Sequence, residues 1–341
     1  MELKKILKGK NKYFIIGLVP LILAMGIISV FQVDLFQAEA TKSQGNPLTG
    51  INSNKVCGDR LCSESTEQTE QQIPATVETS SAMIEEVLED PMQEQNGDLK
   101  IEWLGWSFYR ITTPGGVVIL TNPWYENRDN PTSLDDIPKA DIILVPTGHP
   151  DEVGNALEIA AKTGATIVAS HDLVNLVWKD KDTPRNVPVT FDGIEIKTAQ
   201  FQPGTIRTID GITIRAVTAL HGNWETGGPA MGFFITMENG HVIYFSGSTD
   251  VTLDMKLWGE MFKPHTAILY THSSMDPHEI AMMAQLLSEN NSNLNTVLPL
   301  HHRINPPEGH APADLGKAMD DMGLNMELID PQIGMVYTLS K

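Results

Sequence analysis

Three apolar, β-branched runs in this chain each lead to a histidine: Ile142–Val145 to His149, Ile212–Leu220 to His221, and Val297–Leu300 to His301. Runs of this kind form buried strands, and the ends of neighbouring strands gather at one edge of a sheet. The three imidazoles are therefore expected to converge, which restricts the chain to folds that align those strand ends. The first run carries the most chemistry. It passes through Val145-Pro146-Thr147-Gly148-His149-Pro150-Asp151-Glu152-Val153-Gly154 into a helix expected over 153–163 and stopped by Gly164. A histidine and two carboxylates on one strand-to-helix turn suit zinc, manganese or iron. The same two acids also suit the positive end of the following helix, a purely structural use.

Around this turn the sequence reads as two strand-rich series. The first comprises 100–104, 108–112, 117–121, 141–145 and 166–169, with Pro114-Gly115-Gly116 as a turn and a helical segment over 172–179. The second comprises 193–198, 211–218, 232–237 and 241–246, followed by apolar runs at 266–270 and 295–300 and a closing strand at 334–339. Glu238-Asn239-Gly240 reads as a hairpin turn. Asp276-Pro277-His278-Glu279 reads as an N-cap, a first-turn proline and a capping box, with Ile280, Met283, Ala284 and Leu287 at helical spacing behind it. A further helix is expected over 312–322, stopped by Gly323. The pattern indicates an α/β domain of two sheets packed face to face with helices outside. It holds no Gly-rich phosphate loop, serine elbow or catalytic-cysteine context.

The first hundred residues serve another purpose. Lys4, Lys5, Lys8, Lys10 and Lys12 precede Tyr13–Phe31, 19 residues without a charge. As a helix this stretch would be about 28 Å long, enough to cross a bilayer's hydrocarbon core. The lysines predict a cytoplasmic N-terminus and an extracytoplasmic remainder. Residues 1–34 are thus expected to form a basic stub and single-pass membrane anchor. The alternative is a signal sequence cut after Ala38-Glu39-Ala40, which would leave a secreted protein. Residues 35–98 read as a flexible acidic linker: ten acids and no bases lie between Ser63 and Asp98, too polar to bury a core, with a short amphipathic helix as an option over 81–90. Cys57 and Cys62, the only cysteines, are expected to close a small disulfide loop outside the cytoplasm. A formal net charge of −19 repels phosphate backbones, so no nucleic-acid partner is expected.

Residues 99–341 resemble the metallo-β-lactamase superfamily, in particular the metal-dependent hydrolases similar to ascorbate-6-phosphate lactonase. Leu104-Gly105-Trp106-Ser107-Phe108 stands where that branch has Gly-His-Ser, and Ile119-Leu120-Thr121-Asn122-Pro123 resembles a strand ending in Asp-Pro. Residues 147–152 stand at His-x-His-x-Asp-His. Ala219-Leu220-His221-Gly222, Tyr244–Thr249 and Pro299-Leu300-His301 resemble the third-ligand, bridging-aspartate and last-ligand segments. The resemblance implies a four-layer αββα sandwich with its site along one edge of the sheets. It also implies hydrolysis of a small-molecule ester, lactone or phosphoester by metal-activated water.

By motif position, Thr147 replaces the first histidine, Glu152 the fourth and Ser248 the bridging aspartate, while Trp106 and Asn122 replace a His and an Asp. His149, Asp151, His221 and His301 remain. One family metal would keep His149 and His221, the other Asp151, Glu152 and His301. Loss of the bridging carboxylate disfavours two adjacent cations. One divalent ion is expected, zinc first, with manganese, iron and copper as alternatives, and Asp151 or Glu152 is the expected proton acceptor. Asp250, His272 and His302 are reserve ligands, and Trp106, Trp124, Tyr125 and Trp224 are aromatic candidates for the mouth of the site. His171, His241, His265, His278 and His310 are expected to face solvent. The competing expectation is a non-catalytic relic of the fold that binds metal or protein.

Overall fold

The computed structural model describes residues 97–179, 182–222, 227–304 and 307–341. The expected anchor, cleavage site, Cys57–Cys62 loop, Trp224 and all of the linker but residues 97–98 lie outside the described residues. Among the described residues, no helix is long and apolar enough to cross a membrane.

Two seven-stranded sheets form the body. The first runs in the order Val336–Leu339, Leu99–Trp103, Tyr109–Thr112, Val118–Thr121, Ile142–Leu144, Thr166–Ser170, Thr198–Phe201. The second runs Glu327–Leu328, Thr296–Leu300, Thr266–Tyr270, Val242–Phe245, Met231–Thr236, Ile212–Thr218, Ile206–Ile209. Each sheet is antiparallel on one side and parallel on the other. In the first, the strands at 118, 142, 166 and 198 run parallel, and in the second those at 242, 266, 296 and 327.

Side-chain alternation makes the layers. Ile119, Ile142 and Leu144 share a core with Phe233, Phe245 and Ile268 of the second sheet, while their neighbours Leu120, Ile143 and Val145 share another with Ala156, Ile159 and Ala160 of the helix Ala156–Thr163. Every second residue of these strands thus faces the opposite layer, which is why the runs are apolar without a break. The second sheet's outer face is covered by the helices Asp254–Phe262 and Pro277–Ser288, through Met255, Trp258, Ile280, Met283 and Leu287. The Tyr109 hydroxyl crosses the core to donate to the carbonyl of Pro299 at 2.5 Å.

The helix expected over 153–163 comes in two pieces, Pro150–Val153 and Ala156–Thr163, broken at Gly154. Gly154 has φ +48, and a Cβ there would lie 2.6 Å from Trp124 Cα, so only glycine lets the chain pass this close. The strand expected over 193–198 also divides: Ile194–Ile196 pairs with Val189–Phe191 in a separate hairpin, and Thr198–Phe201 joins the first sheet. The capping box at Asp276 forms, its side chain accepting from His278 N at 2.8 Å while Glu279 accepts from Asp276 N at 3.0 Å. His241 is buried rather than solvent-facing. The turn at 238–240 places it at the foot of the returning strand, its ring tilted against that of His265 at 4.9 Å and bonded to Thr266 Oγ1.

Candidate functional site

The strands that end at residues 144, 245, 270 and 300 belong to the parallel halves of their sheets, so their carboxyl ends emerge at one edge. Two antiparallel steps place Ile212–Thr218 in the same direction as Val242–Phe245, and it too ends there. Met231 N bonds the carbonyl of Pro146 at 3.0 Å, joining the first sheet's loop to the second sheet. Ligands of parallel sheets bind beyond the carboxyl ends of strands, and a cavity of about 620 Å³ lies here. It is lined by His149, Asp151, His221, Tyr270, His272 and His301 among others.

The four surviving family positions come together as two pairs. His149 Nδ1 and His221 Nε2 are 3.1 Å apart, and His301 Nε2 is 3.3 Å from Asp151 Oδ2. Burial, reinforced by the charge of His149, holds the His221 imidazole down at about 4, so it is neutral at physiological pH and its ring nitrogen can offer a lone pair. Burial alone would raise Asp151, but hydrogen bonds from His301 and Trp106 outweigh it and hold the carboxyl at about 2. Asp151 is therefore an anion under all ordinary conditions and a poor proton acceptor, better suited to holding a cation than to accepting a proton from water.

Trp106 has an assigned place here. Its indole Nε1 donates to Asp151 Oδ2 at 2.8 Å, its ring lies 4.0 Å from that of His301, and the Arg303 guanidinium sits 4.4 Å above it. Its carbonyl accepts from His301 N at 3.0 Å, and Trp106 and His301 both adopt left-handed backbone, φ 55 and φ 67. Strained non-glycine backbone of this kind persists where surrounding contacts over-determine it. Trp106 is thus both a core side chain and the group that orients Asp151. Trp124 shares the Arg303 contact, at 5.9 Å. Tyr125 bonds Glu158 of the following helix.

Glu152, expected among the ligands and proton acceptors, has no solvent exposure and is not among the residues that line the cavity. The Thr147 hydroxyl donates to its Oε2 and the Ser248 hydroxyl to its Oε1. Burial raises its pKa, against the lowering effects of His301 and the two hydroxyls. Thr147 Oγ1 also accepts from His149 N at 3.1 Å. Of the reserve ligands, His272 and Asp250 line the cavity, whereas His302 turns inward to stack on Trp103 at 4.4 Å. Tyr270, which sequence reasoning missed, lies between the histidines with its ring 4.8 Å from His301 and 6.1 Å from His221. Its position at the end of the apolar run 266–270 was the available signal.

This donor set does not fit two metal ions. Each half of the site offers two candidate donors, and among the described residues no three His, Cys, Asp or Glu side chains form a preformed coordination group. The pair spacings nonetheless match neighbouring ligands. Two nitrogens at about 2.0–2.1 Å from one tetrahedral zinc lie roughly 3.3 Å apart. The residues present thus offer two donor pairs that line one cavity, His149 with His221 and Asp151 with His301.

Residues 118–309 match the family described as Beta-lactamase superfamily domain. A "UPF0173 metal-dependent hydrolase" of Rubrobacter xylanophilus is 32% identical over 246 residues, covering 70% of this chain and 95% of the relative. One of Methanopyrus kandleri is 28% identical over 248 residues, covering 70% and 99%. Among solved structures, a metallo hydrolase of Ignicoccus hospitalis has a TM-score of 0.58 at 24% identity, covering 71% of this chain and 99% of that one. A possible metal-dependent hydrolase of Veillonella parvula has a TM-score of 0.51 at 16% identity, with the same coverage. These structural likenesses carry the fold, and the sequence matches carry the family. The chain belongs to the metallo-β-lactamase superfamily, within its UPF0173 metal-dependent hydrolase family.

Proposed function

We propose that this chain is a membrane-tethered, extracytoplasmic hydrolase that acts on a small ester, lactone or phosphoester with a single divalent cation, zinc by donor chemistry. The observation that carries the reading is the convergence of His149, His221, Asp151 and His301 on one open cavity of about 620 Å³. A cation held there would act as a Lewis acid and lower the pKa of water toward neutrality. The chain's own contributions are a neutral imidazole at His221, a permanent anion at Asp151 oriented by Trp106, and a polar cavity of the size that admits a small molecule. The tether rests on the uncharged stretch Tyr13–Phe31 behind five lysines, and the Cys57–Cys62 disulfide on the compartment that this implies.

A second reading, a cation- or protein-binding module without hydrolysis, is favoured by the engagement of Glu152 with hydroxyls and by the two-plus-two division of the remaining donors. One experiment separates the two. The purified chain is assayed for bound zinc, manganese, iron and copper and for cleavage of ester, lactone and phosphodiester reporters, beside a His149→Ala, His301→Ala double variant. A near-stoichiometric metal and a cleavage rate that are both lost in the double variant support the hydrolase. Metal without cleavage supports the module, and neither metal nor cleavage rejects the cation site.

A further inference from the structure

Thr147 and Glu152 follow the first sheet's strand Ile142–Leu144, whereas Ser248 follows the second sheet's strand Val242–Phe245. The three side chains meet in the interior: Thr147 is 2% exposed, Ser248 1% and Glu152 0%. Each carboxylate oxygen of Glu152 receives one hydroxyl, so the acid is satisfied from both sheets at once. These are three of the positions at which the chain departs from the family's metal-ligand pattern. The replacement groups are chemically complementary, one acceptor with two oxygens and two donors. A buried carboxyl with only one of its partners would be costly, so the three substitutions are tolerable together and poorly tolerated singly.

We infer that Thr147, Glu152 and Ser248 form one closed hydrogen-bonded tie between the two sheets, which takes the mechanical place of a cation at this edge and holds the domain together without metal. None of the three lines the cavity, and the tie touches its residues through His149 N, which donates to Thr147 Oγ1. It makes Glu152 a structural residue, and it confines any cation to the imidazole and Asp151 side of the cavity.

The test is thermal unfolding of the full-length chain in chelator and again with excess zinc, for Thr147→Val, Ser248→Ala, Glu152→Met and the triple variant combining them. Each single substitution leaves buried polar groups unpaired and is expected to lower Tm by about 4–8 °C in chelator. The triple variant removes the two donors and the carboxyl together, leaving only His149 N without its acceptor, and is expected to recover at least half of the summed loss. Strictly additive losses, or losses confined to the zinc-loaded protein, would overturn the tie. So would a Glu152→Met chain that folds but no longer binds the zinc taken up by the parent, because Glu152 would then be a ligand. Thr147→Val and Ser248→Ala are near-isosteric, so the cycle can be read even if Glu152→Met does not fold. In that event, single losses in chelator that fail to appear for either hydroxyl overturn the inference, and losses that do appear support it.

Discussion

Replacing His241 with glutamine isolates one buried imidazole and predicts a pH-dependent change in stability. The ring is 1% exposed, with Nε2 3.0 Å from Thr266 Oγ1 and, among the described residues, no hydrogen-bond partner for Nδ1. Burial, with the nearby charges of His265 and Lys341, holds its pKa at about 3, against about 6.5 in an unfolded chain. The folded pKa is depressed, so the unfolded state binds the proton first. The stability contribution is complete above about pH 6.5 and is lost as pH falls toward 3. For those two pKa values, linkage gives a loss of about 2 kcal/mol between pH 7 and pH 5. In a domain of this size that corresponds to about 4–8 °C in Tm. Glutamine keeps a donor and an acceptor for Thr266 but cannot titrate. The assay is thermal unfolding of parent and His241→Gln from pH 7 to pH 5, reading the difference between the two so that other carboxylates and histidines cancel. The parent should lose about 2 kcal/mol relative to the variant across that interval. Parallel curves would refute the claim that the buried site keeps His241 neutral.

Two further outcomes follow from single contacts. Trp106→Phe removes the 2.8 Å hydrogen bond to Asp151 while keeping an aromatic ring against His301, and should raise the Asp151 pKa from about 2 by roughly one unit or more, as read by carboxyl NMR titration. Gly154→Ala adds a Cβ 2.6 Å from Trp124 Cα at a φ of +48 and should cost about 2–4 kcal/mol by denaturant unfolding, a loss that Gly164→Ala, with no heavy atom within 4 Å of its Cβ, should not match.

The edge where the site lies was legible because three apolar runs ended near a histidine, two of them the unbroken kind that announces parallel, doubly covered strands and the third, Ile212–Thr218, an antiparallel strand that ends at the same edge. The helix Asp254–Phe262 was not legible. Its buried residues Met255, Trp258 and Gly259 share it with exposed Leu257 and Met261, which continue the four-residue spacing of the exposed N-cap Leu253, so no single apolar stripe stands out. Gly259, which reads as a helix breaker, is required because a Cβ there would lie 2.2 Å from the carbonyl oxygen of Leu287 on the packed neighbour. His241 was misread because a histidine beside a turn usually faces water, and its burial depends on His265 and Thr266, both more than twenty residues away. The partners of Glu152 were not legible for a different reason. Motif position argued for a ligand, whereas the hydroxyls that claim it stand at 147 and 248, and only the folded edge brings 248 within reach. The complementarity of one carboxyl and two hydroxyls at three altered positions was present in the sequence, but it takes a contact to make it evidence.

Zinc itself distinguishes a cation site at the cavity mouth from an inert pocket without any knowledge of the substrate. A ligand that binds only the folded state at one hundred times its Kd stabilises by about 2.7 kcal/mol, which for a domain of this size raises Tm by about 5–11 °C. His149 and His221 contribute the 3.1 Å nitrogen pair, and Asp151 and His301 the 3.3 Å pair. If one cation draws on both, His149→Ala and His301→Ala should each weaken the shift, and the double variant should abolish it. If it is held by the imidazole pair alone, His149→Ala should abolish the shift and His301→Ala should leave it intact. Because His221 stays neutral down to about pH 4, its own protonation should not erode the shift between pH 7 and pH 5.5. A parent chain whose Tm does not move with zinc, or a double variant that moves as far as the parent, would show that these side chains hold no ion, and the hydrolase reading would fall with it.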